Sequence, residues 1–403
     1  MSDLKLALRQ LLKFPRCTAA ARLTLAWATA SCGITGDTGV PAGPAITKPV
    51  VCVESGESSL RRVHLDRLGT LIGDARVVIL GEPELGMHEP LAFRNHLFEY
   101  LVGEKGFTAI AVESAFPESR SLATYVGGGP ETAEDALANS RTWWHEPLEE
   151  NLHLVRWMRS HNTRPNCERP LRLYAIDLSY TGPWGSRPTP LALEAVLGYL
   201  DKVDSTAART HRTALTPWML RLANPTASWT RPEHDAFTAA IEDTVAHLAC
   251  ERVTCLAAGS AAEYEWARQA VSVAQQTDRM FRVAPSEPPG ERVPPSAWRM
   301  VNARDAAMAE NVLWALRQEG EAGRVLVITH SAHARTAATT GGPWDSYDRR
   351  PTSMGQYLRA SLGGKLVAVG MGEGPPTTPE ASGFDGWVGL GSLTAARPLV
   401  REK

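Results

Sequence analysis

Four side chains that can carry a proton stand directly after hydrophobic segments of the chain. The apolar stretches RVVIL, FTAIAV, LRLYAI and RVLVIT lead, in that order, into Glu82, Glu113, Asp177 and His330. Carboxyl and imidazole groups are the side chains best suited to general acid–base catalysis. Gathered in one pocket, these four residues would be able to move protons on and off a bound molecule.

The hydrophobic segments themselves predict the elements that would bring these residues together. Strands are expected at 76–80, 107–112, 171–176, 324–329 and 365–370, and they are almost wholly apolar, as in a parallel sheet covered on both faces. Helices are expected near 90–103, 147–161, 300–318 and 353–361. The predicted fold class is therefore α/β, a mainly parallel sheet flanked by helices. In such sheets ligands bind beyond the carboxyl ends of the strands.

The region between the third and fourth of these strands differs in composition. It is rich in Ala, Leu, Glu and Arg at helical spacing, and the proline-dense segment 284–298 closes it. We therefore expect a helical insertion, or lid, at 188–296. The α/β core carrying the active site is expected at 51–187 and 297–403, and an N-terminal extension and linker at 1–50.

One cation interrupts an apolar helix face close to the first strand. Leu91, Arg94, Phe98 and Leu101 share one face of the predicted helix, so Arg94 is expected to be buried. A buried guanidinium is costly unless carboxylates such as Glu82 or Glu113 accompany it. Arg94 is then either a structural ion-pair partner or a cation that separates the pKa values of two carboxyls.

A second histidine, His333, follows His330 in the segment HSAH. Two histidines at this spacing fit a metal pair or an acid–base pair, and we expect the acid–base pair. The chain has none of the motifs of a serine nucleophile elbow, a phosphate loop, a dinucleotide fingerprint or a zinc protease. We therefore expect no metal and no cofactor.

Composition narrows the class of protein further. The 403 residues are 43% hydrophobic and 21% charged, with a net charge of -2 and a pI of about 6.6, which argues against a nucleic-acid partner. No apolar run reaches the ~18 residues of a membrane span, so no membrane partner is expected. Six scattered cysteines without a C-x-x-C pair are typical of free thiols, and a cytoplasmic location is expected.

Several longer segments together resemble the erythromycin esterase family. In family order they are GEPELGMHEPLAFRNHLFEYLVGEKGFTAIAVES (81–114), TWWHEPLEENLHLVRWMRSHN (142–162), YAIDLS (174–179), RDAAMAENVLWAL (304–316), THSAHART (329–336) and MGQYLRASLG (354–363). The resemblance implies an α/β core with a helical lid and hydrolysis of an ester or lactone by an activated water. It also implies catalytic or pocket roles for Glu82, Arg94, Glu113, His330 and His333, and a bracing role for the Arg304–Asp305 pair.

The chain departs from the family pattern at one position. The opening motif usually reads G-E-x-x-H-G, and its histidine is the expected base that deprotonates water. Here Leu85 takes that place, preceded by Glu84. Leucine cannot accept a proton, so hydrolysis would need a substitute base, namely Glu84, Glu82 or His330.

Three functions are compatible with this departure. The first is hydrolysis with a substitute base. The second is the making or breaking of a C–O bond without water, by cyclisation or dehydration in polyketide-type metabolism, and the third is a catalytically inactive binder of small molecules. We favour the second, because an apolar side chain at position 85 helps to exclude water. The expected partner is an apolar, polyketide-like small molecule. The expected substrate-binding residues are Glu84, Leu85, His88, Trp143, Trp144, Asp177 and Trp184.

Overall fold

The apolar segments of the chain form one parallel sheet. A computed structural model describes residues 50–52, 62–140, 147–165, 167–181, 187–222, 229–283, 295–338, 347–377 and 382–399. Its strands are β1 (Val50–Cys52), β2 (Val77–Glu82), β3 (Ala109–Ala115), β4 (Arg172–Asp177), β5 (Tyr180–Thr181), β6 (Arg187–Pro188), β7 (Val325–His330), β8 (Leu366–Glu373) and β9 (Gly386–Leu390). Seven of them pair in parallel in the order β1-β9-β8-β2-β7-β3-β4, and β5 and β6 form a separate antiparallel hairpin. The predicted α/β class is confirmed.

Helices connect the strands, as parallel pairing requires. They are α1 (Arg62–Ile72), α2 (His88–Lys105), α3 (Arg120–Val126), α4 (Ala133–Asn139), α5 (Glu149–Asn162), α6 (Leu191–Val203), α7 (Ser205–Leu222), α8 (Arg231–Cys250), α9 (Arg252–Ala258), α10 (Ala261–Arg282), α11 (Trp298–Gln318), α12 (Ser331–Ala334) and α13 (Met354–Leu362). Single 3-10 turns lie at Pro117–Ser119, Pro295–Ala297 and Gly363–Lys365. None of the helices in the described part of the chain is long and apolar enough to cross a bilayer.

Alternate residues of each central strand face opposite layers of helices. In β2, Val78 and Leu80 pack in a core with α1, α2 and α5, whereas Val77 and Ile79 pack in a second core with α11 and α13. Both faces are buried, which explains why the strands are apolar throughout rather than alternating. By this alternation Glu82 lies on the α2 side of the sheet.

The helices α6–α10 enclose a third core of their own. Leu197, Ile241 and Tyr264 are among its fully buried members, and Phe116, which follows β3, joins this core to the sheet. The helical insertion predicted at 188–296 and the two-segment core remain predictions of domain organisation. The extension predicted at 1–50 lies outside the described residues except for Val50.

Candidate active site

The four strands that carry the predicted site residues at or near their carboxyl ends are neighbours in the sheet. Their order is β2-β7-β3-β4, so Glu82, His330, Glu113 and Asp177 stand at one edge of the sheet. Glu82 and His330 are direct register partners on adjacent strands. A residue early in the chain and another near its end are thus brought together by strand order alone.

Glu82 is fully buried, and neither of its carboxyl oxygens has a hydrogen-bond partner among the described residues. Burial raises its pKa to about 8, against the opposing effect of Arg94, and the charge of Glu113 raises it further. The Arg94 guanidinium is bound by the amide oxygens of Asn95 (2.9 and 3.0 Å) and Asn151 (3.1 Å). Burial lowers the pKa of Arg94 to about 10. Glu82 is therefore a neutral carboxylic acid at pH 7, ready to donate a proton.

Glu113 is the opposite case, a carboxylate held in its ionised form. Its Oε2 accepts hydrogen bonds from Thr329 Oγ1 (2.6 Å) and from the backbone N–H of His330 (2.8 Å). Its Oε1 accepts from Arg304 Nη2 (2.6 Å). Burial acts to raise its pKa, but His333, Arg304 and these hydrogen bonds outweigh it and hold the pKa at about 2. Sequence reasoning anticipated such a division between two carboxyls, although the cation in contact with Glu113 is Arg304 and not Arg94.

Arg304 of α11 joins three of the site's residues through one guanidinium. Its Nε and Nη2 donate to both oxygens of Asp177 (2.6–3.2 Å), and Nη2 also donates to Glu113. Its Nη1 lies 3.0 Å from Nε2 of His333. The bracing role implied by the family resemblance fits this geometry, because charge-assisted bonds of this kind fix both position and charge.

His330 is held as a neutral ring. Its Nδ1 accepts a hydrogen bond from the backbone N–H of Ala332 (3.2 Å), and its ring also bonds to the backbone carbonyl of Pro83. Burial lowers its pKa to about 4, against the raising effect of Glu113. Both ring nitrogens are thus occupied by backbone groups. His330 is placed to shape the turn beside Glu82 rather than to accept a proton in this conformation.

His333 pairs with a buried aspartate. Its Nδ1 lies 2.8 Å from Oδ1 of Asp305, which also accepts the backbone N–H of Met354 (2.7 Å). Burial lowers the pKa of His333, but the carboxylates of Asp305 and Glu113 outweigh it, so that the pKa is raised overall. Protonation would turn Nε2 from an acceptor of the Arg304 bond into a donor toward Oε1 of Glu113, 3.6 Å away. His333 is therefore the imidazole of the site that is suited to take up a proton.

The remaining predicted residues lie around this cluster or outside the described chain. Glu84 is exposed and Leu85 is half-buried in the turn that follows β2. His88, at the start of α2, contacts a different carboxylate, with its Nδ1 2.5 Å from Glu150 Oε1. Three predicted aromatic residues lie outside the described residues: Trp143, Trp144 and Trp184.

Sequence reasoning missed Glu118, a further carboxyl beside the cluster. It lies in the 3-10 turn after β3, and burial raises its pKa to about 7. Its Oε1 accepts from Ser179 and Thr189, and its Oε2 has no hydrogen-bond partner among the described residues. An acidic residue in the first turn beyond a predicted strand was the available signal. Glu118 lies six residues beyond the end of the predicted strand 107–112, whereas the predicted site residue Glu113 follows that strand directly.

The donor types present do not form a metal site in the part of the chain that the structure describes. No group of three or more His, Cys, Asp or Glu side chains is arranged to hold an ion there. The carboxylate of Glu113 is instead satisfied by a guanidinium, a hydroxyl and a backbone N–H group.

Fold and site together define an α/β protein with a buried acid–base cluster at the carboxyl edge of a parallel sheet. The chain belongs to the erythromycin esterase family, whose model matches residues 102–395, well over half of its length, and this confirms the resemblance. The matched range includes Glu113, Asp177, Arg304 and both site histidines. It begins after the opening motif, which contains Glu82 and the departure at Leu85.

Three solved structures share the fold. A protein from Bacillus cereus is 21% identical, with a TM-score of 0.62, over 78% of this chain and 70% of that one. A succinoglycan biosynthesis protein is also 21% identical, with a TM-score of 0.61 and the same coverage. A mutant of the erythromycin esterase EreC, in its open conformation, is 18% identical, with a TM-score of 0.57 over 86% of this chain and 82% of that one. At this identity the likeness establishes the fold alone.

Proposed function

We propose that this erythromycin-esterase-like protein makes or breaks a C–O bond of an apolar, polyketide-like molecule by acid–base catalysis, without water as a reactant. The observation that carries the proposal is Glu82. A buried carboxyl group with a pKa of about 8 and two oxygens free of described protein partners is a general acid at neutral pH.

Such a carboxyl can exchange protons with a substrate at both oxygens. Its O–H donates to the oxygen that leaves or that gains charge, and its carbonyl oxygen accepts the proton of the attacking hydroxyl. In a cyclisation with loss of water, the substrate's own hydroxyl forms the new C–O bond and a second hydroxyl departs as water. Glu82 ends the cycle protonated, as it began, so protons and electrons balance.

The neighbouring groups support this role electrostatically. Burial is the main reason that Glu82 keeps its proton, and the negative charge of Glu113 adds to this effect. His333, with its raised pKa, is the group that can hold a second proton during the reaction. Leu85 supplies an apolar surface where the family motif usually has a base, which favours exclusion of water from the turn beside Glu82.

Hydrolysis of an ester or lactone is the second candidate, and family membership favours it. In its ionised form, the same carboxyl would then accept a proton from water and return it to the leaving alcohol. Glu84 is exposed and His330 has both ring nitrogens occupied, so Glu82 is the substitute base that the geometry favours.

Isotope labelling separates the two reactions. The protein is incubated with a panel of lactones and linear polyketide acids in water enriched in heavy oxygen, and products are read by mass spectrometry. We expect a product without label, at unchanged mass or 18 mass units lighter. A labelled acid would establish hydrolysis instead, and an unchanged ligand retained after long incubation would support the inactive binder.

Restoring the family's base provides a second test. We expect Leu85→His to gain hydrolysis of a lactone by at least tenfold, because an imidazole beside Glu82 would activate water. Leu85→Met keeps the apolar surface and serves as the matched control, with hydrolysis unchanged. Equal hydrolysis in both variants would show that position 85 does not separate the two chemistries.

A further inference from the structure

The turn that follows β3 contacts both the sheet and the core formed by the helices α6–α10. Phe116 packs its ring on Trp266 (5.7 Å between centroids) and on Trp314 (5.5 Å). Its backbone N–H donates to the carbonyl of Asp177 at the end of β4 (3.1 Å). The turn thus touches the helical core on one side and the site on the other.

Glu118, in this turn, accepts hydrogen bonds from the two residues that flank the β5–β6 hairpin. Its Oε1 accepts from Ser179 Oγ (3.4 Å) and Thr189 Oγ1 (3.2 Å). The two hydroxyls are 2.6 Å apart, and the N–H of Thr189 donates to the carbonyl of Ser179 (3.0 Å). Ser179 and Thr189 flank the β5–β6 hairpin, and α6 begins at Leu191. We call this pair the hairpin neck.

We propose that Glu118 is a positioning residue that holds the hairpin neck, and with it the start of the helical unit, against the strand end that carries Asp177. This inference rests on the proposed function in one respect, namely that the strand end belongs to the active site. The hydrogen bonds that Glu118 makes to the hairpin neck do not depend on the proposed function.

The charges around Glu118 make this hold depend on pH. Burial, with a smaller contribution from the nearby carboxylate of Asp177, raises the pKa of Glu118 to about 7, against the lowering effect of the hydrogen bonds from Thr189 and Ser179. Asp177 is itself paired with Arg304. Of the other charged groups on the packed elements, Glu113 is bound by the same guanidinium, Arg120 stacks on Trp266, and Glu194 is exposed on α6.

Ionisation therefore places a second buried negative charge beside Asp177 and leaves Oε2 without a described partner. The uncharged form avoids this repulsion while its carbonyl oxygen still accepts the two hydroxyls. The neck should be held firmly below pH 7 and loosen above it.

Hydrogen–deuterium exchange on the full chain without substrate tests the inference. Peptides covering 179–193 are followed at pH 6 and pH 8, with intrinsic exchange rates corrected. We expect the wild type to lose at least fivefold protection between the two values. Glu118→Gln, which is uncharged but keeps an acceptor, should remain protected at both, and Glu118→Leu should be unprotected at both.

Glu319→Gln is the matched control, because Glu319 is a buried glutamate that accepts from Tyr174 (2.6 Å), a residue of the same strand β4. It should follow the wild type. Wild-type pH dependence in Glu118→Gln, or wild-type protection in Glu118→Leu, would overturn the inference. Since no substrate is used, that result would leave the proposed chemistry of Glu82 untouched, and failure of that chemistry would leave the exchange result standing.

Discussion

At the scale of single residues, the chemistry of this site follows from how each carboxyl is surrounded. Glu82 and Glu113 stand at one edge of the sheet and are the same type of residue, yet one has a pKa of about 8 and the other of about 2. Burial acts on both in the same direction. The difference is the guanidinium of Arg304, the imidazole of His333 and the hydrogen bonds, all of which Glu113 has and Glu82 lacks.

Glu82→Gln should lower turnover more than tenfold, because an amide occupies the same volume but cannot give up a proton. The direction in which turnover changes with pH shows whether Glu82 acts as an acid or as a base. If Glu82 acts as the acid, wild-type turnover is flat below pH 7 and falls above a midpoint near 8. This alkaline limb should disappear from the residual activity of the variant.

The control for this experiment is Glu104→Gln, which replaces a carboxyl group by an amide at the exposed end of α2, where Glu104 pairs with Arg62 on the surface. Its turnover and pH profile should equal those of the wild type. Wild-type turnover in Glu82→Gln would remove Glu82 from the mechanism.

At the scale of elements, one helix organises the site. α11 contributes Arg304 and Asp305 to the polar cluster, and seven residues after Arg304 its Asn311 donates to the backbone carbonyl of Ile176 in β4 (2.7 Å). Residues seven apart lie on the same helix face. The helix is therefore held against β4 by this hydrogen bond and by those of Arg304 to Asp177, while it delivers a cation and an anion to the strand ends.

Arg304→Gln should destabilise the fold by about 3–5 kcal/mol, because it leaves Glu113 and Asp177 buried without their shared cation. Denaturant unfolding measures the loss. Arg304→Lys should lose less, since the charge remains although the forked geometry does not.

Arg317→Gln removes a cation from the exposed end of the same helix and should change stability by less than about 0.5 kcal/mol. A loss below about 1 kcal/mol in Arg304→Gln would contradict the view that this guanidinium holds the cluster together.

The strands were predictable from the sequence because an apolar run without alternation indicates a strand that is buried on both faces. The segments 76–80, 171–176 and 324–329 are apolar apart from one arginine near the start of each, and the strands found there are buried on both faces. The predicted strand 107–112 extends to Ala115, so that Glu113 lies within the strand rather than after it. The register shift between Val112 and Ala115 shows that pairing is irregular there, and hydropathy does not register such a feature.

At the scale of the whole molecule, the buried carboxyls link folding to pH. The pKa values of Glu82 and Glu118 are raised above the ordinary 4.5, so the folded state binds more protons than the unfolded state up to about pH 7–8. Stability from these groups is present at low pH and is lost as pH rises. Glu113, with a depressed pKa, contributes stability above pH 4.5 that is lost as pH falls.

We therefore expect the free energy of unfolding to fall between pH 6.5 and 8.5 by about 2–3 kcal/mol, on the scale of 1.4 kcal/mol per pH unit for one proton. Urea unfolding at several pH values measures it. A variant with both Glu82→Gln and Glu118→Gln should flatten this dependence, whereas Glu104→Gln should not. An unchanged slope in the double variant would show that neither carboxyl is proton-bound at neutral pH.

The sequence by itself determined the α/β class, the set of proton-carrying residues at strand ends and the departure at Leu85, because hydropathy and residue type are local properties. The tertiary structure alone decided which groups touch. Strand order placed His330 beside Glu82, and helix packing put Arg304 rather than Arg94 on Glu113. Protonation states depend on burial and neighbours within a few ångströms, and residues that lie side by side in the fold, such as Glu82 and His330, are up to 248 positions apart in the chain.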